Sequence, residues 1–318
     1  AKHADIVLPC TTPLERDDMA ITPRDPYVVS MSKLTEAFGQ ARDDYDIFAG
    51  IARAMGVEEE FTQGRSTHEW QRWIYDKTRE RCADAGLDIP TFDQFRSQQW
   101  FKLEDPSQSI IMLSDFRADP VAHPLTTPSG KIEIFSRTVA DFGYDDCPGH
   151  PVWQEPYEWL GNAGRYPLHL ISNQPKDKLH SQLDHGSVSK AKKVAGREPL
   201  HIQPEDAALR GLKNGDLVRV FNDRGACLGS VVIDAAMRPG VVQMSTGAWY
   251  DPDENGMCKH GNPNVLTRDK GTSKLGQGPS AHSCLIEVEL FKDAPPPVTA
   301  HEPPQIIRSE TSNTSMTL

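Results

Sequence analysis

Three polar runs carry the side chains that could do chemistry. The stretch 172–184 reads SNQPKDKLHSQLD and presents Ser172, Asn173, Gln174, His180, Ser181 and Gln182 directly after an apolar segment. Small hydroxyl and amide groups of this kind, with free backbone N–H groups beside them, suit the edges of a flat heterocycle. Lys176 and Lys178 suit phosphate. The loop 271–278, GTSKLGQG, sets glycines beside Thr272, Ser273 and Lys274. Successive N–H groups in such a loop form an anion-binding concavity, to which Lys274 adds charge. Thr11, Thr12, Glu15 and Arg16 follow the apolar run at 4–9, where ligands gather if that run is a strand of an open α/β sheet. The plain alternatives are a solvated loop at 172–184, an ordinary turn at 271–278, and a Glu15/Asp18 pair that starts a helix and binds nothing.

Other chemistries find less support. His180 and His185 stand five apart and Cys258 and His260 two apart, without a second pair at ligand spacing, so no metal site is expected. No G-x-S-x-G elbow is present, which argues against a hydrolytic triad. The six cysteines are scattered without a C-x-x-C pair and read as buried small apolar residues or surface bystanders. Trp249 and Tyr250 read as barrel packing or as a wall near an active-site funnel, packing being the safer choice.

The 318 residues carry a net charge of −11 with no basic block, which excludes a general binder of nucleic acid or anionic membrane. No apolar run approaches the roughly 18 residues that a membrane span needs.

The positioning elements follow from pattern. Residues 4–9 form an apolar strand with no earlier neighbour to pair with, so the chain is expected to be the C-terminal portion of a longer polypeptide. Helices are expected at 32–55, with Leu34, Phe38 and Ile47 on one face, at 66–85, with Trp70, Trp73 and Ile74 on one face, and at 91–101. The alternation in 131–135 predicts a half-buried strand. A turn-rich linker at 145–165 marks a boundary between domains at 1–150 and 151–290. The second domain opens with a strand at 166–171. Strands at 217–221 and 227–234 are joined by the Asn222–Gly225 turn, and two more are expected at 241–245 and 285–290. Gln203-Pro204-Glu205-Asp206 starts a short helix. Several short strands with one small helix indicate a closed barrel. The Pro/Ser/Thr-rich tail 291–318 is expected to be disordered or strapped over a neighbouring surface.

Taken together, 172–184, 196–225 and 271–282 resemble the C-terminal cofactor-binding domain of the dimethyl sulfoxide reductase family of molybdenum enzymes. The branch most similar holds dimethyl sulfoxide, trimethylamine N-oxide and biotin sulfoxide reductases. The resemblance implies a partial Rossmann-like α/β domain followed by a double-psi β-barrel, and the cofactor Mo-bis(molybdopterin guanine dinucleotide). It assigns Ser172, Asn173, Gln174, His180, Ser181 and Gln182 to the pterin and pyrophosphate and Asn264 and Gln277 to the pterin. Lys178 and Lys274 go to phosphate, and Thr11 and Glu15 to the α/β part of the site. It also implies a serine ligand to molybdenum lying outside this chain, so no catalytic residue or metal ligand is named among these 318. Expected partners are a small S-oxide or N-oxide, the N-terminal remainder of the polypeptide, and an electron-donating cytochrome or reductase. The compartment implied is periplasmic, or cytoplasmic for the biotin sulfoxide reductase type. A binding module with no chemistry of its own is the alternative.

Overall fold

Alternating apolar residues at 217–221 and 285–290 become paired strands that put Val218, Val220, Ile286 and Val288 inside. The computed structural model describes residues 4–22, 25–103 and 111–304. Contacts divide the chain into two units, Ala1–His123 and Pro124–Leu318, so the break falls ahead of the turn-rich linker.

The second unit is built on a closed barrel. Its strands are β4 (Leu168–Ile171), β5 (Pro199–Ile202), β6 (Leu217–Phe221), β7 (Ala226–Ile233), β8 (Val241–Met244) and β9 (Leu285–Leu290), in the order β4-β8-β5-β7-β6-β9. The β4–β8 and β5–β7 pairs are parallel and the other pairs antiparallel. This is the expected double-psi barrel, and closure removes the unpaired edges an open sheet would expose. The β6–β7 hairpin turns at Asn222–Gly225, where Asn222 N donates to Gly225 O at 3.1 Å. A Cβ on Gly225 would meet the Val265 carbonyl at 2.7 Å, so only glycine fits there. Leu170, Leu200, Ile202, Val218, Val220 and Met244 are fully buried. Each contributes about 1.5–3 kcal/mol, a large share of the ~5–15 kcal/mol that holds a domain folded.

Around the barrel lie α6 (Arg137–Asp141), α7 (Ser187–Lys192) and α8 (Pro204–Leu209). Pro204 stands at the first position of α8, and Gln203 caps it by accepting from the Glu205 and Asp206 amides. The sequence pattern did not disclose β5 or α7, which are four and six residues long. The expected strand at 131–135 does not form. Ser129 N donates to Glu133 and Thr127 Oγ1 to the Lys131 carbonyl, which folds the segment on itself and leaves Ile132 and Ile134 exposed. Of the tail, 296–301 lies strapped against the barrel: Pro296 is bonded by Arg197, and Ala300 is buried. Residues 305–318 lie outside the described residues.

The first unit holds a three-stranded antiparallel sheet, β1 (Asp18–Ile21), β2 (Tyr27–Met31) and β3 (Trp100–Lys102). Its helices are α1 (Asp44–Met55), α2 (Glu58–Thr62), α3 (Thr67–Asp84), α4 (Phe92–Gln98) and α5 (Ser114–Ala118). Ser66 and Glu69 form a capping box on α3, and Thr91 and Gln94 another on α4, which fixes both starts. Tyr75, Phe92 and Phe95 make the core, with Tyr75 stacked on Phe95 at 4.8 Å. Three expectations fail here. Residues 4–9 form no strand, and Ile6, Val7 and Leu8 are exposed; their segment meets only a single bridge, Cys10 to Arg42, among the described residues. The helix at 32–55 is confined to Asp44–Met55. The Leu34 and Thr35 amides bond the Leu14 carbonyl and the Phe38 amide bonds Glu15, so those donors are withdrawn from a helical ladder. In α3 the buried residues are Gln71 and Tyr75, whereas Trp73 and Ile74 stay half exposed.

Candidate functional site

The loop after β4 is shaped by its own side chains. Asn173 Oδ1 accepts from Gln243 Nε2 at 2.6 Å and from Ser245 Oγ at 3.3 Å, and its carbonyl accepts from the Thr246 amide. Gln174 spans the turn: Nε2 donates to the Lys178 carbonyl at 2.5 Å, and Oε1 accepts from the His180 amide at 3.2 Å. His180 is left-handed, with φ 50°, and Gly247 lies so close beneath its carbonyl that no Cβ could be added there. Trp249 Nε1 closes the far side by donating to Ser181 O. Ser172 is buried, while Gln174, His180, Ser181 and Gln182 are exposed.

Beside this loop lies a hollow of about 400 Å³, whose lining includes Asn173, Lys176, Lys192, Lys193, His201 and Ser245. Nδ1 of His201 is buried without a hydrogen bond, 3.5 Å from Asp234. The lining also holds Asp177 and Glu198: Lys193 is buried against Glu198 and Lys192 pairs with Asp177 at 3.1 Å. The exposed ammonium groups of Lys176 and Lys192, with an amide, a hydroxyl and this imidazole, are therefore the groups that suit an anion.

Lys178 is not part of that surface, and its assignment to phosphate is corrected. Its side chain is 1% exposed, and its ammonium bonds Asp184 at 3.0 Å and Glu198 at 2.9 Å. Lys193 repeats the pattern at 2.9 and 3.0 Å. Burial alone would lower the Lys178 pKa and raise that of Asp184, yet the opposite charges outweigh it and the shifts run the other way. The cluster sits under the loop as ballast. Sequence reading missed Asp184, Glu198, Lys193, His260 and His301 because charged residues five to nine apart are common on solvated loops and the His301 contact, 117 residues from Asp184, leaves no local spacing.

The other expected residues are not brought into the same hollow. Asn264 sits in a one-turn 3-10 segment, Pro263–Val265, capped by Asn262. Lys274 donates its amide to Asp146 and pairs its ammonium with Asp145 at 2.9 Å, both exposed. Gln277 is exposed beside the Gly271–Pro279 bridge. In the first unit Thr11 is buried and donates to Asp43 at 2.7 Å. Glu15 spends both oxygens on the Thr12 and Phe38 amides, which lowers its pKa, and builds no helix start. Thr11, Glu15, Arg16, Lys33, Arg42 and His68 line a hollow of about 420 Å³ in that unit.

Comparison with known proteins accords with this geometry. Residues 168–285 match the family model described as the molydopterin dinucleotide binding domain, and residues 1–54 match that of molybdopterin oxidoreductases. The barrel is therefore a cofactor-binding domain of the molybdopterin class. Dimethyl sulfoxide/trimethylamine N-oxide reductase of Cereibacter sphaeroides is 42% identical over 96% of this chain and 38% of its own length. Trimethylamine-N-oxide reductase 1 of Escherichia coli K12 is 42% identical over 94% of the chain and 36% of its own length. Biotin sulfoxide reductase of C. sphaeroides is 43% identical over 91% and 39%. Among solved structures, acetylene hydratase from Pelobacter acetylenicus superposes with a TM-score of 0.66 over 89% of this chain and 38% of its own, at 20% identity, a likeness of fold. The chain belongs to the dimethyl sulfoxide reductase family of molybdopterin oxidoreductases. It spans 36–39% of the length of these curated relatives. Among the described residues no helix is long and apolar enough to cross a membrane.

Proposed function

We infer that this chain grips Mo-bis(molybdopterin guanine dinucleotide) within an oxidoreductase that removes an oxygen atom from a small S-oxide or N-oxide. The observation that carries the reading is the hollow beside the β4 loop, lined by Lys176, Lys192 and hydrogen-bonding side chains, in a barrel of the family's dinucleotide-binding type. The side chains suit the group: Lys176 and Lys192 match a pyrophosphate, and Asn173, Ser245 and His201 match the edge of a pterin. Ser172, Asn173, Gln174, His180, Ser181 and Gln182 would hold the pterin and pyrophosphate. Asn264, Lys274 and Gln277 would hold it from a second loop, and Thr11 and Glu15 would shape the contribution of the first unit. When bound, the molybdenum centre supplies two-electron redox chemistry, while the residues of this chain bind and orient.

The partners that follow are the small oxide, the N-terminal remainder of the polypeptide and an electron-donating cytochrome or reductase. A periplasmic location goes with the dimethyl sulfoxide and trimethylamine N-oxide reductase type, a cytoplasmic one with the biotin sulfoxide reductase type. The test is made on the intact protein. Acid should release guanine nucleotide in step with molybdenum, and reduced viologen should be oxidised on addition of an S-oxide or N-oxide. Protein free of both molybdenum and nucleotide, and silent toward every oxide, would overturn the reading.

A further inference from the structure

Arg197, buried in the barrel wall, donates Nη2 to the Pro296 carbonyl at 2.5 Å and so pins the start of the strap. Asp251 then takes both donors of Thr299, the amide at 2.7 Å and the hydroxyl at 2.6 Å, while Lys259 Nζ reaches the same hydroxyl at 3.0 Å. These contacts deliver His301 to one place. Its ring stands edge-on to Trp249 at 5.2 Å and to His260 at 4.9 Å, and its Nε2 lies 3.0 Å from Asp184 Oδ2.

Asp184 is the node of the buried cluster. Its Oδ1 takes Lys178 and Lys193; its Oδ2 takes the Trp249 amide at 3.2 Å and His301. With Glu198 counted, two carboxylates face two ammoniums, and the cluster is neutral. His260 Nδ1 lies 3.0 Å from the Trp249 carbonyl and so carries a proton there, while burial and the nearby Lys193 charge disfavour a second proton on that ring. Donor atoms of Asp184, His260 and His301 lie within 4.8 Å of one another, which resembles a metal centre. A divalent cation there would place two uncompensated charges beside two buried ammoniums, a costly arrangement. A hydrogen bond between His301 and Asp184 needs no such compensation.

Resting on the cofactor-binding reading above, we propose that His301 is a positioning residue for the loop that carries His180, Ser181 and Gln182. The strap brings His301 to Asp184; Asp184 holds the Lys178 side chain and the Trp249 backbone; Trp249 holds the Ser181 carbonyl and Gln174 the Lys178 carbonyl. The strap thereby fixes the cofactor loop through two intermediates without touching a ligand itself.

Hydrogen exchange on the intact protein tests this, comparing wild type, His301→Leu and His301→Gln. With His301→Leu, amides 178–184 and 249 should exchange about tenfold faster while 217–233 keep their protection, since one hydrogen bond to a charged group is lost. His301→Gln retains an N–H donor and should restore slow exchange. Guanine nucleotide retained after gel filtration should fall in the Leu variant and recover in the Gln variant. Unchanged exchange at 178–184 in His301→Leu would overturn the proposal, and so would equal loss of protection across the whole barrel. Wild-type protein that holds no nucleotide defeats the cofactor reading instead, and the exchange comparison still decides whether His301 positions the loop.

Discussion

The indole Nε1 of Trp249 donates to the carbonyl of Ser181, 2.8 Å away and 68 residues earlier in the chain. That bond ties the segment after β8 to the loop after β4, two strands that run parallel side by side. Trp249 therefore does more than the packing that its sequence context suggested.

Trp249→Phe keeps the ring and removes the donor. A stability loss of about 1 kcal/mol is expected, with faster exchange at 180–182 and weaker nucleotide retention. Chemical denaturation and exchange on the same sample check it.

Lys178 and Lys274 should part company. Lys178→Met leaves Asp184 and Glu198 sharing one ammonium in a buried site and should destabilise by roughly 3–5 kcal/mol. Lys274→Glu disturbs only an exposed pair with Asp145 and should leave the melting temperature unchanged while lowering cofactor content. Equal molybdenum in the Lys274 variant and wild type would show that this lysine is an ordinary solvated charge.

Stability should fall on acidification in two stages. Burial, then the charge of Lys193, lowers the His260 pKa to about 4, below the ~6.5 of an unfolded histidine. The unfolded chain therefore binds the extra proton first. The stabilisation is complete above about pH 6.5 and is lost as the pH falls toward 4, by about 3 kcal/mol at most. Below that, Asp184, whose pKa is held under that of an unfolded aspartate despite burial, adds a second loss. Melting curves of His260→Gln should be flatter between pH 6.5 and 4, with the lower stage retained.

Gly247 has φ 98° and sits under the His180 carbonyl. Gly247→Ala should cost about 1–3 kcal/mol and push the loop off Trp249, detectable as a red shift in tryptophan emission.

The barrel was legible because its signals are local. Alternation in 217–221 and 285–290, the Asn222–Gly225 turn and Pro204 at a helix start each act within a few residues. The first unit was less so. Leu34 and Phe38 have helical spacing, but the loop at 12–15 takes the backbone donors around them. Residues 4–9 are apolar enough for a strand, and hydrophobicity cannot supply a partner. The residue types of the 172–184 loop nominate it as a site, but nothing local in the sequence shows what holds it. Asp184 meets Lys178 within six residues but His301 only after 117, and no periodicity records a contact of that separation.

That separation also sets an order of events in time. A ribosome makes Asp184 well before His301, and at about 5–20 residues per second the intervening 117 residues take roughly ten seconds. During that interval β4 waits for β9 and the loop waits for its strap. The loop after β4 is thus among the last surfaces of the barrel to settle, because the contact that anchors it is made by residues synthesised last.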